Sequence, residues 1–283
     1  MKNMNYPGYD AVKSQGWLWA HRWLIARRAS QLGILTAFLV GPWFGFWLVK
    51  GNLNSSLTLD TLPLTDPYLF LQSFIASQTI TSTMLIGAAI VTVFYFIVGG
   101  RVYCSWVCPI NIVTDMAAWL RKRLNIKTSG SRIPRNSRYW LLGLTLVLAL
   151  ATGTIIWELV NPVSIVNREI IFGSSTVILI LLTIFLFDLI MYKNGWCGHL
   201  CPVGAFYSLI GRVSLFRVSA DNRQKCDDCM DCYEVCPEPQ VIKPALKGEA
   251  NGVGPVVRSG NCTNCGRCLD VCNKKVFKFS FIN

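Results

Sequence analysis

Charged side chains are scarce in this sequence. They make up 15% of its 283 residues against 52% hydrophobic, where an ordinary soluble domain carries roughly 25% charged residues. A soluble enzyme is therefore excluded and a membrane protein expected. Several chemical signatures are missing as well. There is no phosphate-binding loop, dinucleotide fingerprint, haem-attachment motif or nucleophile triad, so nothing points to hydride transfer or hydrolysis. A cleavable signal peptide is also lacking. The first 30 residues contain no apolar stretch and the first hydrophobic run is long enough to span, which reads as a signal anchor. Arg27-Arg28 resembles a twin-arginine signal only superficially, because a run of membrane length follows it.

Apolar sequence is present in quantity, and four windows suit a bilayer. They are Gln31 to Val49, Thr79 to Val98, Tyr139 to Trp157 and Ile170 to Tyr192, each near the roughly 20 residues a spanning helix needs. Gly41 and Pro42 interrupt the first, as a kink. Lys and Arg crowd the N-terminal arm, the middle loop (Arg101 to Arg138) and the stretch after the fourth window, whereas the other two loops hold only Lys50 and Arg168. By the positive-inside rule both termini and the middle loop are cytoplasmic, and the loops Gly51 to Gln78 and Glu158 to Glu169 lie outside. This topology and contact with anionic lipid account for the formal charge of +12, which is not read as nucleic-acid binding. Trp17, Trp19, Trp23, Trp43, Trp47, Trp140, Trp157 and Trp196 fall near helix ends, as in an interfacial belt.

Two cysteine runs carry the chemistry. Cys226, Cys229, Cys232, Cys236 and Cys262, Cys265, Cys268, Cys272 both read C-x2-C-x2-C-x3-C, the spacing that wraps thiolates around a [4Fe–4S] cluster. Zinc sites instead come mostly as C-x2-C pairs set well apart. Three cysteines on a tight loop reach three irons of one cube, and the fourth, one residue too far, starts a helix and serves the other cube. The crossed sets are Cys226, Cys229, Cys232, Cys272 and Cys262, Cys265, Cys268, Cys236. Pro237 follows the first run, whereas Asn273 stands where the second would have its proline. The segment Glu238 to Asn261, with Pro239, Pro244, Gly248, Gly252, Gly254 and Pro255, reads as an extended loop or hairpin. In the reducing cytoplasm metal ligation is the expected use of these thiols.

The remaining four cysteines form two C-x3-C-P units, Cys104/Cys108 and Cys197/Cys201, each after a pair of apolar windows. The membrane half thus reads as a duplication. Residues i and i+4 share a helix face, so each pair can present two sulfurs to one metal. Three readings stand: a shared four-thiolate site at Cys104, Cys108, Cys197 and Cys201 for a third cluster or a metal, a redox dithiol, or a structural motif at the helix exit. Spacing does not choose iron over copper or zinc. His199 is a candidate for quinol proton handling or a solvated loop residue. Asp188, costly inside a membrane helix, is a second candidate, or else a partner of Lys193. Glu158 and Glu169 read as solvated.

The architecture expected is an α-helical membrane protein of four transmembrane helices arranged as two duplicated hairpins, with a C-terminal α+β bacterial two-[4Fe–4S] ferredoxin-like module. Residues 1–30 form an N-terminal arm, 31–212 the membrane domain and 213–283 the module. The motifs WLWAHRWLIARRASQ, GPWFGFWLVKGNLNSSL, TLPLTDP, RVYCSWVCPIN, VNPVS and NGWCGHLCPVGA, followed by the two ferredoxin runs, together resemble the NapH group of membrane polyferredoxins over essentially the full length. The resemblance implies an electron-transfer subunit of a quinol dehydrogenase in the bacterial inner membrane. Such a subunit takes electrons from ubiquinol or menaquinol and passes them through iron–sulfur clusters toward periplasmic nitrate reductase, with a NapG-type iron–sulfur subunit and cytochromes as partners. The alternative is an assembly role, in which the clusters reduce a metal or thiol during maturation of a partner redox enzyme.

Overall fold

The computed structural model describes residues 6–77, 80–126, 133–172 and 176–282. It opens with helix α1 (Tyr9–Gln15) and the 28-residue helix α2 (Trp17–Phe44). A helix of that length spans about 42 Å, more than the roughly 30 Å hydrocarbon core. The N-terminal arm is therefore helical, and α2 begins at Trp17 rather than Gln31. The reason is local: Trp17 to Gln31 contains no Pro or Gly and is rich in Leu, Ala and Arg, all good helix formers. Gly41 and Pro42 lie in its last turns, and it stops at Phe44 rather than Val49.

Between α2 and the next apolar helix, where only a loop was expected, the chain builds an antiparallel meander and a further helix. Strands β1 (Val49–Gly51), β2 (Ser55–Thr58) and β3 (Leu62–Thr65) pair with Val49 opposite Thr58 and Ser55 opposite Thr65. Helix α3 (Pro67–Ser77) starts where Asp66 Oδ1 accepts the Tyr68 N–H at 2.7 Å, a side-chain cap on an otherwise orphan donor. Then follow α4 (Ser82–Val98), α5 (Ile110–Arg123), α6 (Ser137–Thr152), α7 (Ile156–Val160), α8 (Pro162–Phe172), α9 (Thr176–Ile190) and α10 (Pro202–Ile210). In the VNPVS motif, Asn161 Oδ1 accepts the Val163 N–H at 3.1 Å and Pro162 fills the first helical position, where its missing donor costs nothing. Among the described residues, α2 is the one helix long and apolar enough to cross a membrane. Helices α4, α6 and α9 are apolar but shorter, at 17, 16 and 15 residues.

The chain divides into two compact units. One comprises residues 31–94 and 107–206. Its apolar core is Ile110, Val163, Val166 and Ile184, α5 lies along α9, and α3 lies along α6, where the Tyr68 hydroxyl meets Thr145 Oγ1 at 2.6 Å. The Arg121 side chain donates to the carbonyls of Asp188 and Leu189, satisfying acceptors that the end of α9 leaves open. Asn54 Nδ2 donates to Glu158 Oε2 at 2.6 Å and to Ser164 Oγ, so Glu158 is tied down rather than solvated. Glu169 is half-buried, with Oε2 enclosed and without a hydrogen-bond partner among the described residues. Of the indoles expected in a belt, Trp17, Trp19, Trp43, Trp47 and Trp140 are exposed, but Trp157 is buried, because its helix packs on α3 and its backbone N–H meets Gln72 Oε1.

The other unit comprises residues 1–30, 95–106 and 207–283. Strands β4 (Phe216–Ser219) and β5 (Lys278–Phe281) pair antiparallel, and between them lie helices α11 (Asp231–Val235), α12 (Ile242–Lys247) and α13 (Arg267–Val271). Val218, Val241, Ile242, Leu246, Val257, Val276 and Phe277 form the core. The segment Glu238 to Asn261 is thus partly helical rather than an extended hairpin. Pro244 falls in the first turn of α12, where proline is tolerated, and Ile242, Ala245 and Leu246 are drawn into the core. Helix α1 docks on α13, the Gly8 N–H donating to Asp231 and Gln15 Nε2 to the Cys272 carbonyl.

Gly99-Gly100 is required by close packing in this unit. A β-carbon on Gly100 would lie 2.0 Å from the Tyr207 carbonyl oxygen and 2.5 Å from the Gly211 nitrogen, both backbone atoms that cannot swing away. Gly100→Ala is expected to destabilise the unit by about 1–3 kcal/mol, measured as a lower thermal unfolding midpoint. Gly143→Ala, on α6 with nothing within 4 Å, is the control and should leave the midpoint unchanged or slightly raised.

Candidate iron–sulfur site

The two cysteine runs fold alike. In the first, Asp228 (φ 56°) and Met230 (φ 68°) adopt left-handed conformations; in the second, Asn264 (φ 46°) and Gly266 (φ 73°) do so at the same offsets. Each run thereby closes a tight loop and enters a five-residue helix, α11 or α13. The third cysteine, Cys232 or Cys268, lies on that helix. The fourth, Cys236 or Cys272, follows the helix in extended backbone instead of starting it. The difference arises because the left-handed residue before the third cysteine is already the helix cap.

Two cavities result. One is lined by Cys226, Cys229, Cys232 and Cys272 with Tyr233, Leu246, Val271, Val276 and Phe277 among its walls. The other is lined by Cys236, Cys262, Cys265 and Cys268 with Val218, Val241, Ile242 and Val257. Each takes three cysteines from one run and one from the other. Among the described residues no three Cys, His, Asp or Glu side chains close on a single ion. Thiols spread around the wall of an apolar cavity suit a cube of iron and sulfide with one cysteine per iron, and not a lone tetrahedral zinc.

Burial governs the electrostatics. It pushes the Cys229 thiol up to about 11, although that residue reaches the surface, and the Cys232 thiol up to about 12 with help from neighbouring thiolates. Cys236, Cys268 and Cys272 are raised by the same cause. Cys262 is pushed up to about 11 by burial, against the opposing pull of the Arg101 and Arg217 guanidinium groups. Thiols in this state bind iron only by giving up protons, so cation binding supplies the charge that burial withholds. Arg101 and Glu238 form a salt bridge at 2.8 Å beside the second cavity, each 2% exposed.

The two C-x3-C-P units take a form that sequence did not suggest. Cys104 lies in a π-turn (Tyr103–Val107) with Cys108 just beyond it, and Cys197 lies in a second (Trp196–Leu200) with Cys201 just beyond it, so the pairs do not sit on ordinary α-helix. The Cys201 N–H reaches back five residues to the Trp196 carbonyl at 2.9 Å. Such π-turns are rare and recur at functional sites. Cys104 belongs to one unit and Cys108, Cys197 and Cys201 to the other; Cys197 Sγ stands 4.0 Å from Thr114 Oγ1. None of the twelve cysteines forms a disulfide. Asp188 is fully buried, and its Oδ1 accepts the Trp196 N–H at 2.8 Å, bracing the second π-turn from within. His199 is pinned rather than solvated: Nδ1 is 2.9 Å from the Ile133 carbonyl and the ring stacks on Tyr192.

A family profile described as a 4Fe–4S binding domain matches residues 81–127 and again residues 175–220, and a 4Fe–4S dicluster domain matches residues 225–276. Both copies of the first contain a C-x3-C-P unit, which agrees with duplication. Cysteine-lined cavities and these matches define an iron–sulfur electron-transfer protein of the ferredoxin type. The chain is 49% identical to the ferredoxin-type protein NapH of Haemophilus influenzae, over 97% of this chain and 95% of that one. It is 48% identical to NapH of Escherichia coli over 95% and 93%, and 51% identical to the methylamine utilization ferredoxin-type protein MauN of Paracoccus denitrificans over 95% and 94%. It belongs to this family of ferredoxin-type NapH and MauN proteins. No solved structure matches it.

Two measurements follow from the cavities. Arg101→Ala removes the guanidinium that faces the buried Glu238 carboxylate and is expected to cost about 3–5 kcal/mol, with Arg101→Ala/Glu238→Ala recovering part of the loss in thermal unfolding. In protein stripped of iron but kept native, the raised Cys229 thiol, shifted from 9.0 to about 11, is about fiftyfold less ionised at pH 9 than in the denatured chain. Its greater intrinsic nucleophilicity returns part of that. Alkylation of Cys229 should therefore run roughly fivefold slower at pH 9, a gap that closes as the pH rises toward 11.

Proposed function

We propose that this protein is the membrane electron-transfer subunit of a quinol dehydrogenase, taking electrons from ubiquinol or menaquinol and delivering them toward periplasmic nitrate reductase through a NapG-type iron–sulfur subunit and cytochromes. The observation that carries this reading is the pair of four-cysteine cavities in a chain that also holds a membrane-length helix. Cys226, Cys229, Cys232 and Cys272 hold one [4Fe–4S] cluster and Cys236, Cys262, Cys265 and Cys268 the other. When bound, these groups supply one-electron steps between a two-electron quinol and its acceptor.

The membrane placement extends to α4, α6 and α9 with α2, as four spans with both termini cytoplasmic. Support comes from their exposed apolar side chains, such as Leu85, Val93, Phe94, Val147, Leu150, Ile178 and Leu179, which a bilayer covers and water does not favour. At 15 to 17 residues the three shorter helices fall slightly below the usual span length, a mismatch that local thinning accommodates. Asp188, whose buried Oδ2 lacks a hydrogen-bond partner among the described residues, and His199 handle the quinol protons. The double match of the 4Fe–4S binding profile supports iron–sulfur ligation at the C-x3-C-P cysteines over a dithiol role. The methylamine-utilization name of an equally similar relative points to a partner system other than nitrate reduction, and a second reading has the electrons serve maturation of, or metal reduction in, a partner redox enzyme.

Iron and acid-labile sulfide analysis of the purified protein should give about eight of each, or about twelve where the C-x3-C-P units hold a third cluster. In lipid-embedded protein, adding a quinol should bleach the cluster absorbance and raise a low-temperature EPR signal. Clusters reduced by dithionite but not by any quinol would favour the maturation reading.

A further inference from the structure

The segment carrying Cys104 is fastened to one cavity wall. Arg101 donates to Glu238 at 2.8 Å and to the Asn261 carbonyl at 3.0 Å, Ser105 Oγ to the Thr263 carbonyl at 2.7 Å, and Trp106 Nε1 to the Asn264 carbonyl at 3.2 Å. In return Asn264 Nδ2 donates to the Val98 carbonyl at 3.1 Å. These bonds fall on the residues that flank Cys236, Cys262 and Cys265. The cavity lined by Cys226 has a different attachment, through α1 to Asp231 and the Cys272 carbonyl.

We infer that residues 98–106 are a latch that couples the Cys104 thiol to the Cys236/Cys262/Cys265/Cys268 cavity and not to the Cys226/Cys229/Cys232/Cys272 cavity, with Arg101, Ser105 and Trp106 as its positioning residues. Three donors within a six-residue segment fix three carbonyls of a four-residue stretch, so a change of ligation or charge at Cys104 moves the peptide dipoles around Cys262 and Cys265. Peptide dipoles, hydrogen bonds and nearby charge set cluster potentials. The buried Arg101–Glu238 pair, each 2% exposed, keeps the attachment rigid. Gly99 and Gly100 permit it: a β-carbon on Gly99 would stand 2.5 Å from Asn264 Nδ2.

The inference rests on the reading that both cavities hold clusters, which iron analysis of the unmutated protein decides separately. Full-length protein in lipid is titrated by EPR, with Cys229→Ser and Cys265→Ser used to assign one signal to each cavity. Cys104→Ser and Trp106→Phe are each expected to displace the g values and midpoint potential of the signal assigned through Cys265, leaving the Cys229-assigned signal in place. A displaced Cys229-assigned signal, displacement of both, or displacement of neither overturns the coupling. Should Cys104→Ser lose iron, Trp106→Phe, which removes one donor and keeps the ring, supplies the deciding result.

Discussion

A thiol buried in the wall of an apolar cavity does not ionise readily unless positive charge arrives with it. Burial, as the largest cause, drives Cys229, Cys232 and Cys262 above their ordinary range, so the polypeptide left to itself keeps them protonated and neutral. The burial of these thiols is therefore the constraint to which the fold of residues 207–283 answers. A two-stranded sheet and three short helices bury too little surface to stand firmly alone, and the cysteine loops take the place of a larger core. The left-handed residues before Cys232 and Cys268, costly for Met230 in particular, are held because the loop must turn tightly enough to present three sulfurs to one volume.

A second theme is the use of the same device twice. Both C-x3-C-P units place their first cysteine in a π-turn and their second just before a proline that opens a helix. The proline supplies no donor, which the first turn of a helix does not need, and the widened turn sets the thiols off the regular helical surface. Around the second copy, Asp188, Arg121, Tyr192 and His199 hold the turn by hydrogen bonds and stacking. Around the first, Arg27 donates to the Ser105 carbonyl and Ser30 to that of Trp106. The duplicated element is local, while its supports differ.

Much of this was legible in the sequence because cysteine spacing is a local code. C-x2-C-x2-C-x3-C and C-x3-C-P depend on positions a few residues apart, and four apolar windows depend only on composition. What escaped depends on partners far along the chain. Helix α2 was read as starting at Gln31 because charge was taken to end a membrane run, yet Arg27 is buried by a bond to a residue 78 positions away. Residues 51–78 looked like a loop because β1 to β3 alternate weakly and α3 is short. Proline and glycine argued for a hairpin between the cysteine runs, but Ile242, Ala245 and Leu246 supplied a buried face that overrode them. Glu238 gave no hint of Arg101, and the GGR before Cys104 was seen only as a neighbour of the motif.

The unit that holds both cavities is assembled from residues 1–30, 95–106 and 207–283, three stretches separated in sequence by residues 31–94 and 107–206. Contacts between such distant segments form late, since each requires closing a long loop. During synthesis α1 and α2 leave the ribosome first, and α1 waits for α13 before it has anything to dock on. Each cavity takes cysteines from both runs, so neither is complete until the chain has been made through Cys268.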